Sequence, residues 1–487
     1  MTSRPATFRP APGTGAERAA ELRRRYPRFV YERFETERAG DALRVRFRFR
    51  EDPDLEFASE TVFPGVDWAR VDALPKGALE NLLFHLGLVE TLSYWKATCS
   101  PEIRVEAGQL SEEQIAWFRN LLRRGMGEFF YVNRIDWRAD DFVRVVAQER
   151  SEPFPRYAPS DLAQGRRDGT NKSLVLTSGG KDSVVTLELL REAEHGFDCL
   201  LLNPTEAAMA VARQAGCANP IIVRRTIDPR LLALNEAGYL NGHTPFSALL
   251  AVLGVAAAGI YGYGRVIVSN ERSAEEPGAE YLGEEINHAY GKTFRFETRF
   301  RVYCRTCLAP TDNGRAAIEY FSLLRPLYEL QIARLFARHP AYFPIFRSCN
   351  RGMKANAWCG ECSKCLFVYT VLYPFVDRER MLAIFGKDLF AWEGASEGLR
   401  ALLGMDHEKP FECVGTREET LAAIYLCTER MKGQGDALPP ALWEIEQNVL
   451  SKRRDLHDVT RRILAAWTDD HHVPKEFCQV LRRALRF

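Results

Sequence analysis

The chain lacks an excess of charge of either sign. Its 487 residues include 66 Lys and Arg and 65 Asp and Glu, so the formal net charge at pH 7 is +1. Proteins that bind nucleic acids or anionic membranes through their overall field usually carry a clear basic excess. We therefore expect a small-molecule substrate and no nucleic-acid or membrane partner, although a local basic patch remains compatible with this balance.

Long apolar runs are also scarce, and no repeat of 20–50 residues is visible. The longest run, FSALLAVLGVAAAGIY at 246–261, is shorter than a bilayer span and rich in Ala and Gly, so it predicts a buried helix. Residues 1–28 are Pro-rich and basic without the apolar core of a signal peptide, which predicts a flexible tail leading into a helix. The 12 cysteines then suggest a cytoplasmic protein in which Cys clusters bind metal or do chemistry.

Three further regions follow the tail. Residues 29–155 predict an α+β domain, 172–375 a catalytic domain and 376–487 a helical region. The polar, Pro- and Gly-rich segment 148–171 marks the boundary. Within the first domain, ALRVRFRFR alternates strictly, and its arginine face predicts either a contact for a phosphorylated substrate or a solvated sheet face. His85 lies in a long apolar helical pattern and is predicted to be a packed side chain.

Short apolar runs alternate with amphipathic helices from Lys172 onward. This rhythm predicts an α/β fold with a doubly wound parallel sheet. In such sheets ligands bind at the carboxyl ends of the strands, near the point where the strand order reverses. The polar motifs of the chain follow these strands, so we expect them to share one site.

The stretch SLVLTSGGKDSVV predicts a phosphate-binding loop between a strand and a helix. The two glycines allow a tight turn and close approach of an anion, and the N–H groups of the helix would point at it. A carboxylate at this position repels phosphate unless a cation intervenes, which predicts bound Mg²⁺. The loop differs from a Walker A motif, which requires Ser or Thr after Gly-Lys. The expected nucleotide contacts are Ser178, Gly179, Gly180, Lys181, Asp182 and Ser183.

Four cysteines follow in the pattern C-x9-C-x2-C-x2-C: Cys349, Cys359, Cys362 and Cys365. Four thiolates with two short loops predict a structural Zn²⁺ site, four buried free thiols being the alternative. A second C-x-x-C, Cys304 and Cys307, could be a redox or thiol-transfer pair, part of a metal site, or incidental.

The loop resembles the SGGxDS loop of the PP-loop (HUP-like) ATP pyrophosphatases. That resemblance implies cleavage of ATP to AMP and pyrophosphate, with adenylation of a carboxylate or carbonyl of the substrate. It also implies that Asn203, after the second strand, lies near the adenosine. His243, in NGHTP at the start of the long apolar helix, is expected to contact ATP, with helix capping as the alternative.

Several further stretches resemble the UDP-N-acetylmuramoyl-L-alanyl-L-glutamate epimerase family (MurL type). They include FHLGLVETLSYWKATCSP, GEFFYVN, SNERSAEEPG, EINHAYGKTFRFE, YFSLLRPLYELQIARLF, WCGECSKCLFVY, MLAIFGKDLF and KPFECVGT, and the likeness spans roughly residues 30–450. Family members usually carry SANEGN where this chain has SAEEPG. The resemblance implies inversion of the terminal L-Glu of UDP-MurNAc-L-Ala-L-Glu to D-Glu in peptidoglycan precursor synthesis.

Adenylation suits this reaction because a free carboxylate already carries a negative charge, and a carbanion at the adjacent carbon would add a second one. An adenylated carboxyl is neutral, acidifies the α-carbon and leaves an enolate that a donor-rich pocket can stabilise. Alongside Lys181 and Asp182 we expect catalytic roles for Glu271 and Arg272, with His288, Cys304 or Cys307 as candidates for acid and base. Substrate contacts are expected from the SNERS stretch at Ser269, Asn270, Arg272 and Ser273, and uridine contacts from residues 30–150.

Two other functions fit the motifs. A PP-loop enzyme that thiolates or amidates a nucleobase or tRNA would have a basic groove and an essential cysteine. A zinc-bound module that only binds ATP would release no pyrophosphate with any substrate.

Overall fold

The structure is a computed structural model that describes residues 14–151, 154–157, 172–311, 317–405 and 408–486. Residues 1–13 of the predicted tail and most of the predicted boundary segment 148–171 lie outside the described residues. The prediction of a flexible tail over residues 1–28 is wrong for its described part, because Thr14–Arg25 form helix α1, and Leu22 and Tyr26 are buried in the core.

One ten-stranded sheet runs through the molecule in the order β12-β9-β6-β7-β8-β3-β2-β1-β4-β5, and β10 and β11 form a separate hairpin. The strands are β1 Arg28–Ala39, β2 Ala42–Asp52, β3 Leu55–Phe63, β4 Glu102–Leu110, β5 Arg144–Glu149, β6 Ser173–Leu176, β7 Phe197–Leu202, β8 Ile221–Thr226, β9 Arg265–Val268, β10 Ala279–Tyr281, β11 Glu284–Ile286 and β12 Glu319–Ser322.

Five of these strands, β12-β9-β6-β7-β8, are parallel. Their side chains alternate between two hydrophobic clusters, so that Leu174 faces one cluster and Val175 the other. The predicted parallel sheet is confirmed. Because β7 lies on one side of β6 and β9 on the other, the strand order reverses between β6 and β9, which is where such sheets bind ligands.

Helices cover both faces of this parallel part. The helices before the C-terminal region are α2 Trp68–Asp72, α3 Ala78–Trp95, α4 Glu112–Gly125, α5 Gly127–Val132, α6 Lys181–Glu192, α7 Glu206–Gln214, α8 Pro229–Glu236, α9 Phe246–Tyr261, α10 Phe294–Tyr303 and α11 Glu329–Phe336. Helix α9 is the predicted buried helix and packs against α3. Among the described residues no helix is long and apolar enough to cross a membrane.

The N-terminal strands extend the same sheet. Strands β1, β2 and β3 form an antiparallel meander, and β3 pairs antiparallel with β8 through Glu60↔Thr226 and Val62↔Arg224. On the arginine face of β2, Arg46 pairs with Glu60 at 2.9 Å and Arg50 with Glu32 at 3.1 Å. This face therefore carries its own counter-charges, as a solvated sheet face does.

His85 is a packed side chain, as predicted. It is buried in α3, where Nδ1 lies 2.7 Å from the Asn81 carbonyl oxygen and Nε2 lies 2.8 Å from Gln114 Nε2. Both ring nitrogens have protein partners, so the imidazole joins α3 to α4.

Helix α12, Ser363–Leu372, ends the region predicted to be the catalytic domain. The region 376–487 is helical, as predicted, and comprises α13 Arg378–Phe385, α14 Ala395–Leu403, α15 Arg417–Gln434, α16 Pro440–Asn448, α17 Leu456–Leu464 and α18 Lys475–Leu485. These helices pack on the sheet face that also carries α6, α7 and α11.

Candidate functional site

The glycine loop joins β6 to α6 at the point where the strand order reverses. Gly180 is the N-cap of α6 and no side chain caps the helix, so the N–H groups of its first turn have no side-chain acceptor. The loop is closed by Ser183, whose Oγ accepts the Ser178 N–H at 2.9 Å and lies 3.0 Å from Ser178 Oγ. This arrangement can bind an anion.

The loop is packed tightly from two sides. A Cβ at Gly179 would lie 2.7 Å from Ala207 Cβ and 2.9 Å from the Ala208 nitrogen, both at the start of α7. The Arg347 N–H donates to the Gly179 carbonyl at 2.7 Å, and a Cβ at Gly180 would lie 2.8 Å from Ser348 Oγ. The segment before Cys349 thus braces the loop.

Three carboxylates meet beside the loop. Asp182, Glu271 and Glu329 each offer an oxygen, and these oxygens lie within 4.8 Å of one another. Lys181, which is only 1% exposed, contacts both Asp182 and Glu329, whereas Glu271 Oε2 has no hydrogen-bond partner among the described residues. Buried hard oxygen donors at this spacing fit a divalent cation such as Mg²⁺.

Burial and like charge govern how these carboxylates ionise. Burial, together with the nearby Asp182, raises the pKa of both Glu271 and Glu329. The pKa of Asp182 is lowered because the charges of Lys181 and Lys364 outweigh its burial. A divalent cation among the three oxygens would favour the ionised form of all of them.

A row of half-buried groups continues from the carboxylates into a cleft, which is lined by Glu271, His288 and Cys413. The Lys292 ammonium lies close enough to the Cys413 thiol for their charges to interact, and Cys413 Sγ lies 4.0 Å from His288 Nε2. The ring of His288 stands 6.0 Å from that of His243, whose Nδ1 lies 4.0 Å from Glu128 Oε2. The cleft thus offers ammonium, thiol, imidazole and carboxyl groups in succession.

The imidazoles in this row are held neutral. Burial and the charge of Lys292 lower the pKa of His288 to about 3, and burial and His288 lower the pKa of His243 to about 4. Burial also raises the pKa of Glu128 to about 7. Helix α9 begins after Pro245 without a side-chain cap, so the capping alternative for His243 does not match the structure.

Other predicted residues lie beside this row rather than in it. The Arg272 guanidinium stacks 4.6 Å from the Tyr328 ring centroid in an adjoining groove that also contains Arg325. Ser273 Oγ accepts the Glu329 N–H at 3.1 Å and so positions that carboxylate.

The remaining predicted residues at strand ends are Ser269, Asn270 and Asn203, which are buried or bond to neighbouring strands. Asn270 Nδ2 donates to Ser322 Oγ at 3.2 Å, and the Ser269 hydroxyl is buried. At the end of β7, the Asn203 side chain bonds both backbone groups of Arg225, at 2.6 and 3.0 Å.

Sequence reasoning missed Glu329, Lys292, Cys413 and Glu128. Each lies in a stretch used for the family resemblance: YELQIARLF, GKTFRFE, KPFECVGT and GEFFYVN. Those stretches were the available signal, but the residues in them come together only through the tertiary fold.

The four cysteines of the C-x9-C-x2-C-x2-C pattern converge. Their sulfurs lie within 4.8 Å of one another, and Cys359 Sγ is 3.7 Å from Cys365 Sγ. A tetrahedron with Zn–S bonds of about 2.3 Å has edges of about 3.8 Å, so the spacing fits zinc. Backbone N–H groups point at the thiols, as from Gly352 to Cys349 Sγ at 3.1 Å, and Gly360 has φ +68° in the tight turn.

Cys304 and Cys307 are buried where α10 ends. Burial raises the pKa of both thiols, that of Cys307 to about 12. A redox or thiol-transfer pair needs an accessible thiolate, so their surroundings match the incidental alternative.

Two protein-family models match most of the length of the chain. The family model of the MurL N-terminal domain matches residues 20–323, and that of the MurL C-terminal domain matches residues 345–455. No solved structure matches the chain.

Three curated relatives carry the name UDP-N-acetyl-alpha-D-muramoyl-L-alanyl-L-glutamate epimerase. The chain is 37% identical to that of Micromonospora sp. over 75% of its own length and 80% of the relative's. It is 36% identical to the Salinispora tropica protein over 75% and 79%, and 33% identical to the Xanthomonas oryzae pv. oryzae protein over 90% and 92%. With both family models matched, the chain is an epimerase that belongs to the MurL family.

Proposed function

We propose that the protein inverts the terminal L-Glu of UDP-MurNAc-L-Ala-L-Glu to D-Glu and uses ATP to do so, in peptidoglycan precursor synthesis. The family supplies the substrate, since the named relatives are epimerases of this compound. One observation carries the ATP requirement: the SGGKDS loop places Asp182 beside Glu271 and Glu329, and Glu271 lines a cavity together with His288 and Cys413.

The fold supports membership of the PP-loop superfamily. The glycine loop follows β6, the first strand of the parallel part, and Glu271 follows β9 on the other side of the reversal in strand order. In this proposal the N–H groups of α6 and the serines of the loop hold the phosphates of ATP. Asn203 lies at the adenosine end, and His243 faces the nucleotide from the cleft.

Metal ions have two separate roles in the proposal. Asp182, Glu271 and Glu329 would hold Mg²⁺, which neutralises phosphate charge when bound. The Cys349 cluster would hold Zn²⁺ as a structural site, because all four ligand positions are filled by thiolates and none is left for substrate.

The chemistry then proceeds by adenylation. A carboxylate oxygen of the terminal glutamate attacks the α-phosphorus, and the bond to pyrophosphate breaks. The adenylated carboxyl no longer carries negative charge, so the electron pair left when the α-proton departs can move into it. Lys292 faces this position with its positive charge, and Arg272 is placed to bind the glutamyl side chain. Water then breaks the bond between the carboxyl group and AMP, which releases AMP and UDP-MurNAc-L-Ala-D-Glu.

Isotope exchange with ATP tests the proposal. Incubation with UDP-MurNAc-L-Ala-L-Glu, Mg²⁺ and ATP in D₂O should place one deuterium at Cα and yield AMP, pyrophosphate and the D isomer. Omitting ATP should abolish both exchange and inversion. Pyrophosphate release without exchange, or demand for a nitrogen or sulfur donor, would instead identify a ligase or a thiolating enzyme.

Glu329→Gln tests the carboxylate group. We expect pyrophosphate release to fall by about 100-fold or more and to need more Mg²⁺, because one hard ligand is lost. Glu319→Gln, on the exposed side of β12, is the matched control and should release pyrophosphate as the wild type does. Equal behaviour of the two variants would remove Glu329 from the site.

A further inference from the structure

Cys413 lies in the segment 408–416 before α15, and part of this segment lines a cavity together with Glu271 and His288. The Lys409 N–H donates to the Gly278 carbonyl at 3.0 Å, and the ring of Phe411 packs 6.1 Å from that of His288. Lys364 Nζ donates to the Cys413 carbonyl. These contacts fix the thiol at the cleft wall next to His288.

The surroundings of this thiol favour the thiolate. Burial opposes its ionisation, but the charges of Lys292 and Lys364 outweigh burial and lower the pKa of Cys413. The contrast is Cys99, which is fully buried and whose pKa burial raises to about 12. A thiolate beside an ammonium group is a competent base and, once protonated, a competent acid.

A second buried group faces the same space. Glu271 is 4% exposed, lines the cavity together with Cys413 and His288, and its Oε2 has no hydrogen-bond partner among the described residues. The charges of both Cys413 and Glu271 act on Lys292, so its ammonium group lies near both the thiol and the carboxylates. A carboxyl group bound at the carboxylate end would have its α-carbon one bond away, in the direction of Cys413.

We propose that Cys413 is a catalytic residue that removes the α-proton of the terminal glutamate. The inference rests on the proposed function. The Cα–H bond breaks, an S–H bond forms, and the electron pair moves into the adenylated carboxyl as an enolate facing Lys292. A proton from water forms the new C–H bond on the opposite face, and the thiol returns its proton to solvent. His288 is a positioning residue that holds Sγ.

The test separates proton transfer from adenylation. Wild type, Cys413→Ser and Cys413→Ala are incubated with UDP-MurNAc-L-Ala-L-Glu, ATP and Mg²⁺ in D₂O. Both variants should still release pyrophosphate, while deuterium at Cα falls by about 100-fold or more, the usual contribution of general base catalysis. Cys478→Ser is the matched control, because Cys478 also has an imidazole neighbour, with Sγ 3.9 Å from His471 Nε2, and does not line the cavity that Cys413 shares with Glu271.

The possible results have different consequences. Exchange by Cys413→Ala within about tenfold of wild type would overturn the inference and leave the proposed function intact. Equal loss of pyrophosphate release and exchange would assign Cys413 to nucleotide binding, and a thioester on Cys413 in mass spectra would make it a nucleophile; either would overturn its role as the base. Absence of exchange in the wild type would overturn the proposed function and this inference with it.

Chemical modification covers the case in which the variants fold poorly. Iodoacetamide should alkylate Cys413 of the folded wild type, as mapped by peptide mass spectrometry, and exchange should fall in proportion to the alkylated fraction. Exchange that persists after complete alkylation of Cys413 would overturn the inference.

Discussion

Gly179 has no room for a side chain, because its missing Cβ would meet the backbone and side chain at the start of α7. We expect Gly179→Ala to displace the loop and nearly abolish pyrophosphate release while the protein still folds. The control is Gly433→Ala, since Gly433 lies in α15 with open space around it. Assays of pyrophosphate release by both variants test this expectation. Normal turnover by Gly179→Ala would contradict the assignment of this loop to phosphate binding.

His85 makes stability depend on pH. Burial lowers its pKa from 6.5 to about 4, so below pH 6.5 the unfolded chain binds a proton that the folded chain does not. Stability is therefore complete above pH 6.5 and is lost as the pH falls towards 4, by about 1.4 kcal/mol per pH unit.

The matching variant is His85→Gln, which cannot ionise. Urea unfolding at pH 7 and pH 5 should show that it loses about 1–2 kcal/mol less than the wild type over this range. His457→Gln, a change at an exposed residue, should follow the wild type. Equal losses in the free energy of unfolding between pH 7 and pH 5 in all three proteins would show that His85 does not titrate on unfolding.

At the residue scale, the sequence predicted those site residues that lie within a single local motif. The glycine loop, Asp182 and Glu271 follow directly from strand ends, and their convergence was expected from the parallel sheet. Cys413 and His288 are 125 residues apart, and no periodicity links them. Their contact depends on a loop between α14 and α15 whose path the sequence pattern does not encode.

At the scale of elements, the cysteine cluster and the phosphate loop form one unit. Arg347 and Ser348 contact the glycines, and the next residue is the first thiol of the cluster. We expect about one Zn²⁺ per chain, and Cys362→Ser should lose the metal and lower the melting temperature.

The contact with the loop adds a second consequence. Loss of zinc should also weaken ATP binding, measured by the ATP concentration needed for half-maximal pyrophosphate release. Cys427→Ser, in buried α15 outside the cluster, controls for loss of a thiol in the core. A metal-free wild type with full stability would refute the zinc site.

Strands and helices were predictable where their periodicity was clear. The alternation of β2 and the apolar run of α9 each gave the observed element, because each buries a continuous face. The pairing of β3 with β8 was not predictable, since strand pairing across the predicted boundary depends on edges that meet only after folding.

At the scale of the whole molecule, a buried ion pair joins the parallel part of the sheet to helix α3. Arg225 on β8 donates to both oxygens of Glu90 on α3, at 2.7 and 2.9 Å, and both side chains are at most 9% exposed. Glu90→Ala would leave a buried charge without its partner, so we expect a loss of about 3–5 kcal/mol in the free energy of unfolding.

Denaturant unfolding measures this loss, and Glu90→Leu with Arg225→Met provides the matched control. The double variant should recover much of the stability, because it removes both charges and keeps apolar volume. A loss below about 1 kcal/mol for Glu90→Ala would show that the pair is hydrated and contributes as a surface pair does.

The pairing of β3 with β8 also has a consequence for the order of synthesis. Strand β3 ends at Phe63 and β8 begins at Ile221, so a ribosome completes the first three strands well before their neighbour exists. Until then β3 presents unpaired N–H and C=O groups along an open edge, which recruits other strands. The nascent chain therefore carries an aggregation-prone surface during translation, and a chaperone that shields Leu55–Phe63 in that interval would raise the yield of folded protein.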